Sequence, residues 1–367
     1  MPAAERILVR GVNWLGDAVM TTPALQRLRE ARPEAHITLL THQKLADLWR
    51  GHPSLNATLA FSGDDNVFGV ARRLRAERFD LAIVFPNSLR SALEVFAARI
   101  PTRVGYSRNG RSLFLTRALP VRQDAVRMHK RSVPEIDQRL EKNLPREAFS
   151  SAAHHVHDYL QLVAALGANP LPVPPLLHVA GEEISAARVR LGLKAGSVFV
   201  GLNPGAEYGP AKRWPAERFV EVAVRVHRET QCSFLLLGGR ADLELAGEIA
   251  AAIASQIGTT HVTNVAGQTT LRELCSVLKA CAVVVTNDTG PMHVAAAVGT
   301  PVVVPFGSTA PELTGPTLGV AAHKLVSGPA PCAPCFRREC PIDFRCMTGI
   351  SVDRIAQATL QVLQVHC

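Results

Sequence analysis

Four short polar stretches carry the side chains that could do chemistry, and each follows an apolar run. The first is Gly11-Val12-Asn13-Trp14-Leu15-Gly16-Asp17, which sets a carboxylate at or near a helix start. There it either caps the helix or serves as a general base, taking the proton of an attacking hydroxyl within hydrogen-bond reach. The second, Asn203–Pro215, delivers Lys212 and Arg213 just before a helix that opens at Pro215. A glycine turn, a helix N-terminus and a lysine together make an anion site, although G-x-x-x-x-G-K-[ST] spacing is absent; the alternative is a solvated loop lysine. The third, Gly238-Gly239-Arg240-Ala241-Asp242, offers an acid that either accepts from ribose hydroxyls or caps the next helix. The fourth, Thr286–His293, is too polar for packing alone to explain it. Asp288, Thr289 and the amides that follow suit a diphosphate or sugar hydroxyls. A lone His293 is more often structural, but here it follows three polar positions.

The elements that must position these loops alternate. Apolar runs at Arg6–Gly11, His36–Thr41 and Phe79–Phe85 read as strands, with a helix from about Asp17 to Ala31 between the first two. Uninterrupted apolar strands separated by helices imply a parallel sheet covered on both faces. A helix at His154–Leu166 leads into the Pro-rich passage 169–175, which can continue neither helix nor central strand, so the domain connection falls there. The alternation restarts with strands at Val198–Leu202, Ser233–Gly238, Ala282–Thr286 and Pro301–Pro305, and helices at Ala216–Thr230 and Leu271–Ala280. The expected division is therefore 1–175, 176–350 and a closing helix, 351–367. Ligands bind beyond the carboxyl ends of parallel strands, which is where all four loops lie.

A chain of 367 residues is longer than one core usually serves, and 47% apolar with 19% charged residues excludes a disordered protein. No signal peptide or membrane span is legible, so a cytoplasmic protein is expected. Of the net charge of +9, the window Arg99–Arg131 alone holds nine Lys or Arg against Asp124, a net +8. This is either a solvated face or a surface for an anionic, phosphorylated or membrane-bound partner. Only Tyr106 and Phe114 interleave it, which disfavours nucleic acid. Cys232, Cys275, Cys281 and Cys367 are scattered. Cys332-x2-Cys335-x4-Cys340-x5-Cys346 has the spacing of a structural zinc site, but its unevenness equally fits reduced thiols.

The stretches Gly16-Asp17, Phe85-Pro86-Asn87-Ser88, G-P-A-K-R-W within Pro204–Pro215, and Asn287–His293 (N-D-T-G-x-x-H) resemble the bacterial ADP-heptose:lipopolysaccharide heptosyltransferases, most closely the type II members. The resemblance implies an α/β GT-B fold, two Rossmann-like doubly wound domains facing a central cleft, the first for acceptor and the second for nucleotide sugar. It implies inverting transfer of L-glycero-D-manno-heptose from ADP-heptose to heptosyl-Kdo2-lipid A, at the inner face of the inner membrane. Asp17 becomes the base and Lys212 the stabiliser of the departing diphosphate. Asp242 holds the ribose, Thr269 in the turn Gly267-Gln268-Thr269 lies by the adenine, and Asp288, Thr289, Gly290 and His293 surround diphosphate and heptose. Asn87 falls on the acceptor side. Arg103, Arg108 and Arg111, with a basic inserted segment from about Val121 to Ser151, are expected to receive the acceptor's phosphates and carboxylates. No D-x-D occurs, so no catalytic metal cofactor is expected. The other readings are a related transferase with a different core position or nucleotide sugar, a non-catalytic sugar-nucleotide binder, and a zinc-bearing nucleic-acid binder.

Overall fold

A computed structural model of the chain describes residues 4–194, 196–316 and 323–366; Cys367 lies outside them. There are two compact units, Met1–Ala125 with Ala152–His178, and Val126–Ser151 with Val179–Cys367. A single boundary at 175 is thus corrected. The Pro-rich passage does close the first unit, but the basic segment 126–151 is built into the second, as is the closing helix Val352–His366.

The first unit holds β1 (Arg6–Arg10), β2 (His36–His42), β3 (Ala57–Phe61), β4 (Leu81–Val84), β5 (Thr102–Tyr106) and β6 (Arg117–Leu119), all parallel, in the order β3-β2-β1-β4-β5-β6. The second holds β7 (Phe199–Asn203), β8 (Ser233–Leu236), β9 (Val262–Asn264), β10 (Val283–Thr286), β11 (Val302–Phe306) and β12 (Lys324–Ser327), also parallel, in the order β12-β11-β10-β7-β8-β9. Counted within its own unit, each sheet runs 3-2-1-4-5-6. The chain reverses its winding between the first and fourth strands, and that switch point is where such sheets bind ligands. β4 and β10 are buried along their whole length, so neither alternates apolar with polar residues.

Two local departures have clear causes. The helix expected over 17–31 is two helices, Leu15–Met20 and Thr22–Ala31. The Thr21 and Thr22 hydroxyls donate to the carbonyls of Ala18 and Val19, and Pro23 has no N–H to continue the ladder. The segment 126–151 is tied down by its own arginines. Arg131 Nη1 donates to the Cys332 carbonyl (2.7 Å) and Arg139 Nε to that of Pro331 (2.8 Å). Its helix Val133–Glu141 carries a Ser132–Glu135 capping box and inserts Ile136 into the core of the second unit.

Candidate active site

At the second unit's switch point, β7 and β10 are neighbours, and the loops after them are joined by buried polar contacts. Asn203 Nδ2 donates to Thr286 Oγ1 (3.0 Å). Asn287 Nδ2 donates to the Pro204 carbonyl (2.7 Å), while Asn287 Oδ1 accepts from the Trp214 amide (3.0 Å). Asn287 is fully buried, so packing does explain this part of the turn: it fixes the lysine-bearing loop to the end of β10. That loop places Lys212 Nζ 2.6 Å from Asp288 Oδ2 and 4.9 Å from the Tyr208 ring centroid. Asp288 Oδ2 also accepts from Thr309 Oγ1 (2.6 Å). Burial alone would raise the Asp288 carboxyl pKa. The charge and hydrogen bond of Lys212, the Thr309 hydroxyl and nearby His293 outweigh it, and the pKa lies below its ordinary value.

The helix Gly290–Ala297 starts immediately beyond this pair, with Thr289 as N-cap and Pro291 in the first turn. Its positive end therefore lies beside the ammonium, an arrangement that favours a bound anion. His293 is buried one turn into the helix. The turns expected to meet the nucleoside also converge. Asp242 Oδ2 accepts from the Gly239 amide (2.9 Å), and the Gly267 amide donates to the Gly238 carbonyl (2.9 Å). Thr269 follows, half-buried. Asp242 also presses on the lysine loop, since a Cβ at Gly205 would stand 2.4 Å from Asp242 Oδ1. Asp242 precedes the next helix as its N-cap residue but makes no side-chain capping bond to it; its carboxylate turns back to Gly239 and fits against the lysine-bearing loop.

In the first unit, Asp17 stands in the first turn of Leu15–Met20, while Trp14 takes the N-cap position without a side-chain bond. Arg10 braces this loop from beneath: its Nε meets Glu94 Oε2 at 2.9 Å, its Nη1 donates to the Gly11 carbonyl (2.6 Å), and both side chains are buried. His155 lies between two carboxylates, with Nδ1 4.0 Å from Asp17 Oδ1 and Nε2 3.6 Å from Asp158 Oδ2. Burial, then the charge of Asp17, raises the pKa of Tyr159. Sequence reasoning passed over Arg10 and His155; only the His154-His155 pair at a helix start could have flagged the second.

The acceptor arginines require correction. Arg111 is fully buried, its Nε donating to the Tyr106 carbonyl (2.8 Å) and its Nη1 to that of Pro86. Burial, then the charge of Arg108, lowers its pKa to about 10. Arg103 Nε donates to the Phe114 carbonyl (2.7 Å). Arg111 braces the carboxyl end of the sheet and Arg103 its amino end, where it also bonds the Ile100 carbonyl, and Arg108 is the exposed member of the three. Asn87 is half-buried at the end of β4, with a buried Oδ1 and a backbone carbonyl that accepts from Asn109 Nδ2 (2.9 Å). Of the clustered cysteines, Cys332, Cys335 and Cys346 are buried in one core cluster, and burial raises the Cys346 thiol pKa to about 12. Cys340 Sγ accepts from the Phe344 amide (3.3 Å). Among the described residues, no group of three or more His, Cys, Asp or Glu is arranged to hold a metal ion.

Two 3-2-1-4-5-6 sheets, one with a lysine beside a helix N-terminus at its switch point and the other with a carboxylate, define a GT-B glycosyltransferase architecture. Residues 67–344 match the model of glycosyltransferase family 9 (heptosyltransferase), and the chain belongs to that family. It is 31% identical over 324 residues to lipopolysaccharide heptosyltransferase 2 of Salmonella typhimurium, covering 85% of each chain. It is 25% identical to lipopolysaccharide heptosyltransferase 3 of Escherichia coli, covering 81% of each. The solved structure of E. coli ADP-heptose LPS heptosyltransferase II superposes with a TM-score of 0.78 at 26% identity, covering 98% of this chain and 99% of that one.

Proposed function

We propose that this enzyme transfers L-glycero-D-manno-heptose from ADP-heptose to the heptose of heptosyl-Kdo2-lipid A, with inversion at the anomeric carbon. The observation that carries the donor half is the Lys212–Asp288 pair at the switch point, beside a helix N-terminus. A departing diphosphate needs a positioned cation, and here the ammonium is held before any ligand arrives. Asp17 takes the proton of the acceptor hydroxyl, whose oxygen lone pair attacks the anomeric carbon. The carbon–oxygen bond to the diphosphate breaks with its electron pair, and Lys212 offsets the charge that develops. Asp242 holds the ribose, and the turn ending at Thr269 lies along the adenine.

The higher identity to a type 2 than to a type 3 relative supports the second-heptose acceptor. Incubating the protein with ADP-heptose and mono-heptosylated Kdo2-lipid A should yield a diheptosylated product. Transfer to Kdo2-lipid A alone, or none to either acceptor, would refute the assignment.

A lipid-linked acceptor also calls for a peripheral position on the inner membrane's cytoplasmic face. No described helix is long and apolar enough to cross a membrane. Phe68, 78% exposed, and Phe96 line a groove with Arg75, Arg99 and Arg103, and Leu113, 84% exposed, precedes Phe114, whose ring packs on Phe96. Apolar tips among arginines suit an anionic bilayer surface. Cosedimentation with phosphatidylglycerol vesicles but not phosphatidylcholine vesicles is expected, and Phe68→Ser with Leu113→Ser should abolish it. Equal binding to both lipids would count against this surface.

A further inference from the structure

We infer that Arg146 is a positioning residue for the diphosphate-binding pair, acting through Thr309; the inference rests on the proposed role of Lys212. Arg146 belongs to the segment 126–151, which the basic composition of the region suggested was an acceptor surface. Its guanidinium instead faces the turn after β11. Nη2 donates to the Thr309 carbonyl (2.6 Å), and Nη1 lies 3.1 Å from the Gly307 carbonyl and 3.3 Å from that of Gly328. Burial lowers its pKa, and Glu312 is the foremost of the charges that oppose this.

Thr309 is the hinge of the argument. Its backbone is held by Arg146, while its hydroxyl donates to Asp288 Oδ2, the same oxygen that meets Lys212 Nζ. Three consecutive 2.6 Å contacts therefore run from Arg146 to Thr309, to Asp288, to Lys212. A planar guanidinium with several fixed donors can grip three carbonyls at once, whereas a lysine ammonium cannot reproduce that fork. The rest of the turn is equally constrained. A Cβ at Gly307 would stand 2.3 Å from Met347 Sδ, and Ser308 accepts from the Phe336 amide (2.8 Å). With its neighbours fixed, Thr309 holds one orientation of the Asp288 carboxylate, and that orientation sets where the ammonium points.

The effect should fall on the chemical step, because Lys212 acts most strongly on charge that develops as the diphosphate leaves. Arg146→Lys is expected to lower kcat by about ten- to a hundredfold while moving the donor KM less than about threefold. Thr309→Val should do the same, and Thr309→Ser should restore most of the lost rate. The deciding measurement is the double variant. If Arg146 works through Lys212, then Arg146→Lys in a Lys212→Ala background should cost almost nothing more. A merely structural role would give additive losses and a parallel fall in Tm, and that result, or an unchanged kcat in Arg146→Lys alone, would overturn the inference. Full activity of Lys212→Ala would overturn the proposed role of the lysine instead, so the two failures are distinguishable.

Discussion

Lys212 Nζ and Asp288 Oδ2 lie 2.6 Å apart, joined across the switch point from the loops after β7 and β10. Both side chains are largely buried, so removing one partner leaves a charge without its counter-ion. Asp288→Asn should cost about 3 kcal/mol of stability at neutral pH. The folded carboxyl pKa is depressed. The contribution is therefore complete above the ordinary carboxylate value of about 4 and is lost as pH falls through the lower folded value. Melting curves of wild type and variant should differ at pH 7 and converge in acid; a gap constant across that range would contradict the pairing.

Asp17 tests the other half of the reaction. Asp17→Asn keeps the shape of the side chain and removes its basicity. Transfer should slow by about 10²- to 10⁴-fold, while ADP, proposed to bind the second unit, should keep its affinity. Undiminished transfer would take Asp17 out of the mechanism.

Gly205→Ala probes the contact between the lysine loop and Asp242. The added methyl would stand 2.4 Å from Asp242 Oδ1, so carboxylate or loop must move. Affinity for ADP should fall about tenfold, a loss near the worth of one charge-assisted hydrogen bond. Asp242→Ala should lose a similar amount. Wild-type affinity for ADP in Gly205→Ala would show that the ribose does not use this acid.

The basic window separates into two kinds of arginine. Arg111→Ala removes the donor to the Pro86 and Tyr106 carbonyls and should lower stability by about 2 kcal/mol or more. Arg108→Ala should leave Tm within about a degree and raise the acceptor KM without affecting the donor's. Identical behaviour of the two variants would refute the distinction.

Catalysis is proposed to run without a divalent ion, with Lys212 and the N-terminus of Gly290–Ala297 supplying the positive charge at the diphosphate. Activity after EDTA treatment should equal that of untreated enzyme. A complete loss restored by Mg²⁺ would overturn the proposal.

The sheets were legible wherever strands are long and buried on both faces, and the helix Ala216–Thr230 matches its expected bounds. β3, β5, β6, β9 and β12 went unread: each has exposed or half-buried positions along its length, and β6 and β9, three residues each, have no fully buried position. The loops after β7 and β10 stood out because lysine, aspartate and glycine in such turns suit anion chemistry, and the structure brings Lys212 and Asp288 together there. What escaped were side chains whose partners are backbone carbonyls. Arg111, Arg131, Arg139 and Arg146 look in sequence like a basic surface, and nothing local reveals that each ends on a carbonyl far along the chain. Asn287 misled in the opposite sense, because a buried amide that joins two loops has the composition of a binding residue.

The segment 126–151 has a practical consequence for dividing the molecule. The second unit is not a continuous stretch of gene: a fragment beginning at Val179 lacks Ile136 from its core, and the carbonyls of Pro331, Cys332 and Thr309 lose their arginine donors. Such a fragment should aggregate on expression, and a peptide spanning 126–151 supplied in trans should rescue it. The first unit is better placed for surgery, because Arg122 Nη1 already donates to the Ala152 carbonyl (2.8 Å). A short linker replacing 126–151 should therefore leave that unit able to fold as an autonomous module.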